Sequence, residues 1–144
     1  MLRFQNGPSG HRYEVDAAHA GSGTVWSTSL PPEARSVPAA RHFTSNALRS
    51  LGAPQHVDEA ELLVSELAAN VVLHAHTDMR VSILGGDGRV RVEVRDGDPN
   101  LPRRRSPDPM ALDGRGVMLV DTLATAWGIN GNDRGKTIWF ELAN

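Results

Sequence analysis

Three residues spaced by four, Glu66, Asn70 and His74, lie within the stretch ELLVSELAANVVLHAHT. On an α-helix such a spacing places a carboxylate, an amide and an imidazole along one face. The residues between them, including Leu63, Val64, Leu67, Ala68, Val71 and Val72, are apolar and would bury the opposite side. A core helix carrying a polar stripe in register suggests a wall of a site. Glu66 can accept a proton. Asn70 offers a neutral hard oxygen suited to Mg²⁺, which takes few protein ligands and keeps several waters or phosphate oxygens. Read alone, the stripe allows a metal site, an acid–base pair or a solvated face.

Two further features bear on that choice. Asp96 ends the alternating run RVRVEVR and opens a proline-rich stretch. A carboxylate at a strand end, where a loop leaves a rigid scaffold, is well placed to bind. It could accept a hydrogen bond from the amino group of adenine, whereas the oxygen of guanine would be repelled. The alternative is a turn-forming aspartate in Asp-Gly-Asp-Pro. Gly114-Arg115-Gly116 stands before an expected helix, where glycine permits close backbone approach and N–H groups can hold anions.

The elements that must position these residues follow from periodicity. Residues 1–23 show no periodic pattern and are expected to form a mobile N-terminal tail. Residues 24–144 form the folded domain. Within it Thr24 to Leu30 is a strand, and Ser36 is expected to cap a helix that has Pro38 in its first turn and stops near Gly52. The Glu66 helix runs from Val57 or Asp58 to Ala75. Met79 to Leu84 and Arg89 to Arg95 make a hairpin around Gly85-Gly86-Asp87-Gly88. A long loop over Gly97 to Asp113 includes Arg103-Arg104-Arg105, which could steer an anion or meet an acidic partner. A helix over Gly116 to Leu123 precedes a last hairpin, Ala126 to Asn130 and Lys136 to Leu142. The order β-α-α-β-β-loop-α-β-β implies an α+β fold, a two-layer α/β sandwich with a mixed, largely antiparallel sheet.

Composition narrows the class. With 144 residues, 40% apolar and 22% charged, the chain suits one globular domain. A net charge of −2 does not favour direct nucleic-acid binding. The absence of cysteine excludes disulfides and thiolate chemistry. No apolar run is long enough for a membrane span, and the first twenty residues lack a secretory pattern, so a cytoplasmic location is expected. Lys136 is the sole lysine, so any chemistry that needs an ammonium group has one candidate.

Gly131 to Thr137 superficially suggests a phosphate-binding P-loop. It has three residues where four are needed before Gly-Lys, and a strand pattern follows it where a helix should. A hairpin turn explains it better. His74, His76 and Asp78 are better read as helix-end residues than as metal ligands. Trp127 and Trp139 read as core or cross-strand residues.

Taken jointly, the motifs resemble the Bergerat-type ATP-binding fold shared by gyrase and histidine kinases. Glu66-Leu-Ala-Ala-Asn70 looks like its N-box, and Asp96-Gly97-Asp98-Pro99 like its first glycine box. Gly114-Arg115-Gly116-Val117 is similar to the second, and Gly135-Lys136-Thr137 to the terminal Gly-x-Thr element. The likeness extends over about residues 24–142. The phrases AELLVSELAANVVLHA, GRGVMLVDTLATAWGI and GKTIWFEL look most like anti-sigma-factor serine kinases, bacterial partner-switching regulators.

The resemblance implies ATP and Mg²⁺ as cofactors, with Glu66 as the catalytic base toward a protein serine and Asn70 as the Mg²⁺ ligand. It implies that Asp96 contacts adenine, that Gly114, Arg115 and Gly116 cover the phosphates, and that Thr137 supports the adenine end. A sigma factor and an anti-anti-sigma protein are the implied partners, and homodimers are common in that family. A conventional sensor histidine kinase is not expected, because no phosphoacceptor helix precedes the core. Where the wider family has a glycine, this chain has Asp98, a carboxylate that would be unfavourable beside a triphosphate if it pointed inward. A non-catalytic ATP-binding switch and an interaction domain without nucleotide are the alternatives.

Overall fold

The computed structural model describes residues 2–6, 12–20, 23–86, 88–99 and 119–143. Strands β1 (Leu2–Asn6), β2 (Arg12–Ala20) and β3 (Gly23–Leu30) come first. Helices α1 (Ser36–Ser50) and α2 (Val57–Asn70) follow. Then come β4 (Met79–Gly86), β5 (Arg89–Asp96), a short helical segment at 119–123, β6 (Ala126–Asn132) and β7 (Gly135–Ala143). One seven-stranded sheet has the order β1-β2-β3-β4-β5-β7-β6. Every described pairing in it is antiparallel. The two-layer α/β arrangement agrees with the expected fold class. The parallel component implied by a mixed sheet does not occur among the described strands.

One face of the sheet carries the core. Val81 and Ile83 of β4, Val90, Val92 and Val94 of β5, and Ile138, Phe140 and Leu142 of β7 are all buried. The period of two in these strands sends alternate side chains to one side. The helices close that side, with α1 packed on β3 and β4 and α2 on β5. From α1 come Ala40, Phe43, Ala47 and Leu48, and from α2 come Ala60, Leu63, Val64 and Leu67, all buried.

The N-terminal residues differ from expectation. Residues 2–6 and 12–20 are strands where a mobile tail is expected. Tyr13 and Val15, two apart, are both buried. The Tyr13 hydroxyl is hydrogen-bonded to His42 Nδ1 of α1 at 2.6 Å, and its ring meets Phe43 edge to face. Burial pushes the Tyr13 phenol up to about 12, against the opposing effect of a hydrogen bond with Asn46. Two buried side chains on a short alternating run are too weak a pattern to read without their partners on α1.

The helix ends also differ. Ser36 is the first residue of α1 and not its cap, and its hydroxyl donates to the Pro31 carbonyl at 2.6 Å. The α-helix bearing Glu66 ends at Asn70, and the next turn, Val71–Ala75, widens to π geometry. His76 closes it in the left-handed region at φ 55°, and its N–H donates to the Val71 carbonyl at 3.0 Å. No described helix is long and apolar enough to cross a membrane.

Candidate functional site

Asp96 is the last residue of β5, and Lys136 is its partner in the β5–β7 register. Both are buried, at 4% and 7% exposure, although both are charged. Lys136 Nζ donates to Asp96 Oδ1 at 3.1 Å and to the Asp98 carbonyl at 3.4 Å. It also lies 3.8 Å from Asp98 Oδ2. The Asp98 N–H donates to the same Asp96 Oδ1 at 2.8 Å, which fixes the turn after the strand. Asp98 therefore has its carboxylate toward an ammonium.

Gly135 is what lets the strands meet at this point. Its φ is +144°, and a Cβ there would stand 2.1 Å from the Asp96 carbonyl oxygen. Only glycine tolerates both the conformation and the contact. Across the turn, the Gly97 N–H donates to Thr77 Oγ1 at 2.8 Å, and Thr77 Oγ1 donates to the Asp78 carbonyl at 3.1 Å. Thr77 thereby ties the segment leaving α2 to the loop leaving β5.

On α2, Asn70 is the final residue and Glu66 lies one turn earlier, both half-buried. Asn70 Oδ1 is buried and has no hydrogen-bond partner among the described residues. An unsatisfied buried carbonyl oxygen costs about 1–3 kcal/mol. Such an oxygen, beside a π-turn of the sort often found at functional sites, fits a hard cation or its water. Among the described residues no group of three or more His, Asp or Glu side chains gathers as a metal cage. A cation held through Asn70 would take its other ligands from water and from its phosphate partner. His74 and His76 are exposed at the helix end.

Thr137 is not brought to Asp96. It pairs with Arg95 on β5 and Asn130 on β6, one residue out of phase with the carboxylate, on the face away from the helices. Lys136, the one candidate for ammonium chemistry, occupies that position, although the resemblance assigned it no role. A signal existed: Lys136 is in phase with Ile138, Phe140 and Leu142, whereas Thr137 is in phase with Trp139 and Glu141. Trp139 serves the outer face. Arg91 stacks on its ring at 4.0 Å, and its aromatic ring fills the space that a Cβ on Gly128 would enter at 2.7 Å. Trp127 donates to Asp121 Oδ1 at 2.9 Å and anchors the 119–123 segment to β6. Gly114, Arg115, Gly116 and Arg103 to Arg105 lie outside the described residues.

The described residues thus provide a carboxylate–ammonium pair at the end of β5 and, on α2, a carboxylate one turn before an amide oxygen with no described partner. Curated proteins provide no match to the chain. Residues 30–142, most of the chain and including Glu66, Asn70, Asp96 and Lys136, match the histidine kinase-like ATPase domain family, and the protein belongs to that family.

Proposed function

We propose that this protein is an ATP-binding regulator, an anti-sigma factor with serine kinase activity toward an anti-anti-sigma protein. The observation that carries nucleotide binding is the unpartnered, buried Asn70 Oδ1, one turn from Glu66 on a helix wall. The regulatory part rests on the likeness of AELLVSELAANVVLHA and GKTIWFEL to the anti-sigma-factor serine kinases.

In this reading Asn70 Oδ1 holds Mg²⁺, which when bound neutralises phosphate charge. Asp96 accepts a hydrogen bond from the adenine amino group and orients the base. Glu66 takes the proton of the attacking serine hydroxyl. Gly114, Arg115 and Gly116 would cover the phosphates, as the resemblance implies. Phosphoryl transfer demands chiefly alignment and charge stabilisation, so these few groups suffice.

The test is incubation with labelled ATP, Mg²⁺ and the neighbouring candidate regulators. Transfer to a serine of a small partner protein, with retained ATP binding but at least about 100-fold slower transfer in Glu66→Ala, supports the reading. Intact transfer in that variant would remove Glu66 as the base. Binding by the wild-type protein without any transfer would make the chain a nucleotide-dependent switch instead. Co-purification with a sigma factor, and the oligomeric state of that complex, tests the partner assignment.

A further inference from the structure

Lys136 has more hydrogen-bonding capacity than the described protein uses. An ammonium carries three N–H donors. Within hydrogen-bond reach are Asp96 Oδ1 at 3.1 Å and the Asp98 carbonyl at 3.4 Å. Asp98 Oδ2 at 3.8 Å contributes charge but is too far for a hydrogen bond. One N–H of a side chain that is 9% exposed is thus left over among the described residues. Among the described residues the contacts on Asp96 all fall on Oδ1. The pair therefore presents a carboxylate oxygen and an ammonium N–H side by side, fixed by the antiparallel register of β5 and β7.

The Watson–Crick edge of adenine has the reverse pattern: a donor on its amino group beside an acceptor at N1. We propose that Lys136 is a second base-reading residue, its Nζ donating to adenine N1 while Asp96 Oδ2 accepts from the amino group. The proposal rests on the ATP reading above and deepens it. Guanine in the same pose is rejected twice, because its oxygen faces the carboxylate and its N1–H faces the ammonium. The pair also accounts for Asp98, whose carbonyl and carboxylate keep the lysine tail in place.

The test compares ATP, 1-deaza-ATP (N1 replaced by C–H) and 7-deaza-ATP, each with Mg²⁺, by calorimetry on the full chain. Wild-type protein should bind 1-deaza-ATP about 10- to 100-fold more weakly than ATP, the worth of a hydrogen bond to a charged group. It should bind 7-deaza-ATP like ATP. In Lys136→Met the difference between ATP and 1-deaza-ATP should vanish, whereas a lysine that only positioned Asp96 would lower both affinities equally and preserve it. Equal wild-type affinity for ATP and 1-deaza-ATP overturns the proposal and leaves ATP binding standing. Persistent discrimination in Lys136→Met overturns it as well. No wild-type binding of ATP removes the nucleotide reading and this proposal together. Should Lys136→Met not fold, the wild-type comparison still decides, with Lys136→Arg as the variant that keeps a donor.

Discussion

The cluster at the end of β5 and the polar stripe of α2 are built in opposite ways. At the end of β5, Asp96, Asp98 and Lys136 hold one another in a cluster around two buried side chains, and Gly135 allows the backbones to close around it. On α2, the Asn70 oxygen is buried with no partner among the described residues. The first end is fixed by its own contacts and, with one Lys136 N–H and Asp96 Oδ2 left over among the described residues, can hold a set pattern for recognition. The second is incomplete, and what its acceptor oxygen lacks is what a cation or the O–H of a water would supply. Preorganised recognition at one end and a group held unsatisfied at the other is the division expected of a site that selects a base and handles phosphates.

This contrast can be broken by substitution, starting where the effect is greatest. Lys136→Met leaves the buried Asp96 without its cation and should cost about 3–5 kcal/mol in urea unfolding. Combining it with Asp96→Asn should cost less than the sum of the two single changes, since no isolated carboxylate is left on β5. Gly135→Ala should come next, at about 3 kcal/mol, because it adds strain at φ +144° and a clash with the Asp96 carbonyl. It should also weaken ATP binding by moving Asp96. On the other wall the sign reverses. Asn70→Leu removes an unsatisfied buried oxygen and should leave stability unchanged or raise it by about 1 kcal/mol, while Mg²⁺-dependent ATP binding is lost. A loss of stability there comparable with that of Lys136→Met would collapse the distinction between the two ends.

The smallest effect lies far from the site and tests the N-terminal strands. Tyr13 is the sole tyrosine, so tyrosinate absorbance reports it alone. Its folded value is raised to about 12 from an ordinary 10, because burial disfavours the charged phenolate. The folded state then holds the proton more tightly than the unfolded state. Its contribution is fully present below pH 10 and is lost as pH rises toward 12. Absorbance titration should show a midpoint near 12 in the folded protein, and Tyr13→Phe should flatten the loss of stability across that window. A midpoint near 10 would mean that β2 does not bury this ring.

Part of this was legible in the residues. The strand alternation in RVRVEVR and the helical stripe around Glu66 and Asn70 each encode a local period, and both elements form where that period places them. The β1 and β2 strands were not legible, because Tyr13 and Val15 acquire meaning only through α1, twenty-odd residues later in the chain. The widening of α2 after Asn70 was hidden for a similar reason. An apolar run such as VVLHA has the same composition whether its last turn is α or π.

Lys136 shows where the boundary falls. By itself the sequence determined that one lysine exists, that it follows a glycine, and that it shares the phase of Ile138, Phe140 and Leu142. It likewise determined that Asp96 ends a strand and that Glu66 and Asn70 share a helix face, since these are consequences of local geometry. Only the tertiary structure decided that Asp96 and Lys136 stand opposite each other, that Thr137 turns away, and that the Asn70 oxygen is left unpaired. Register and burial are properties of packing between strands and helices distant in sequence, and no residue carries them alone.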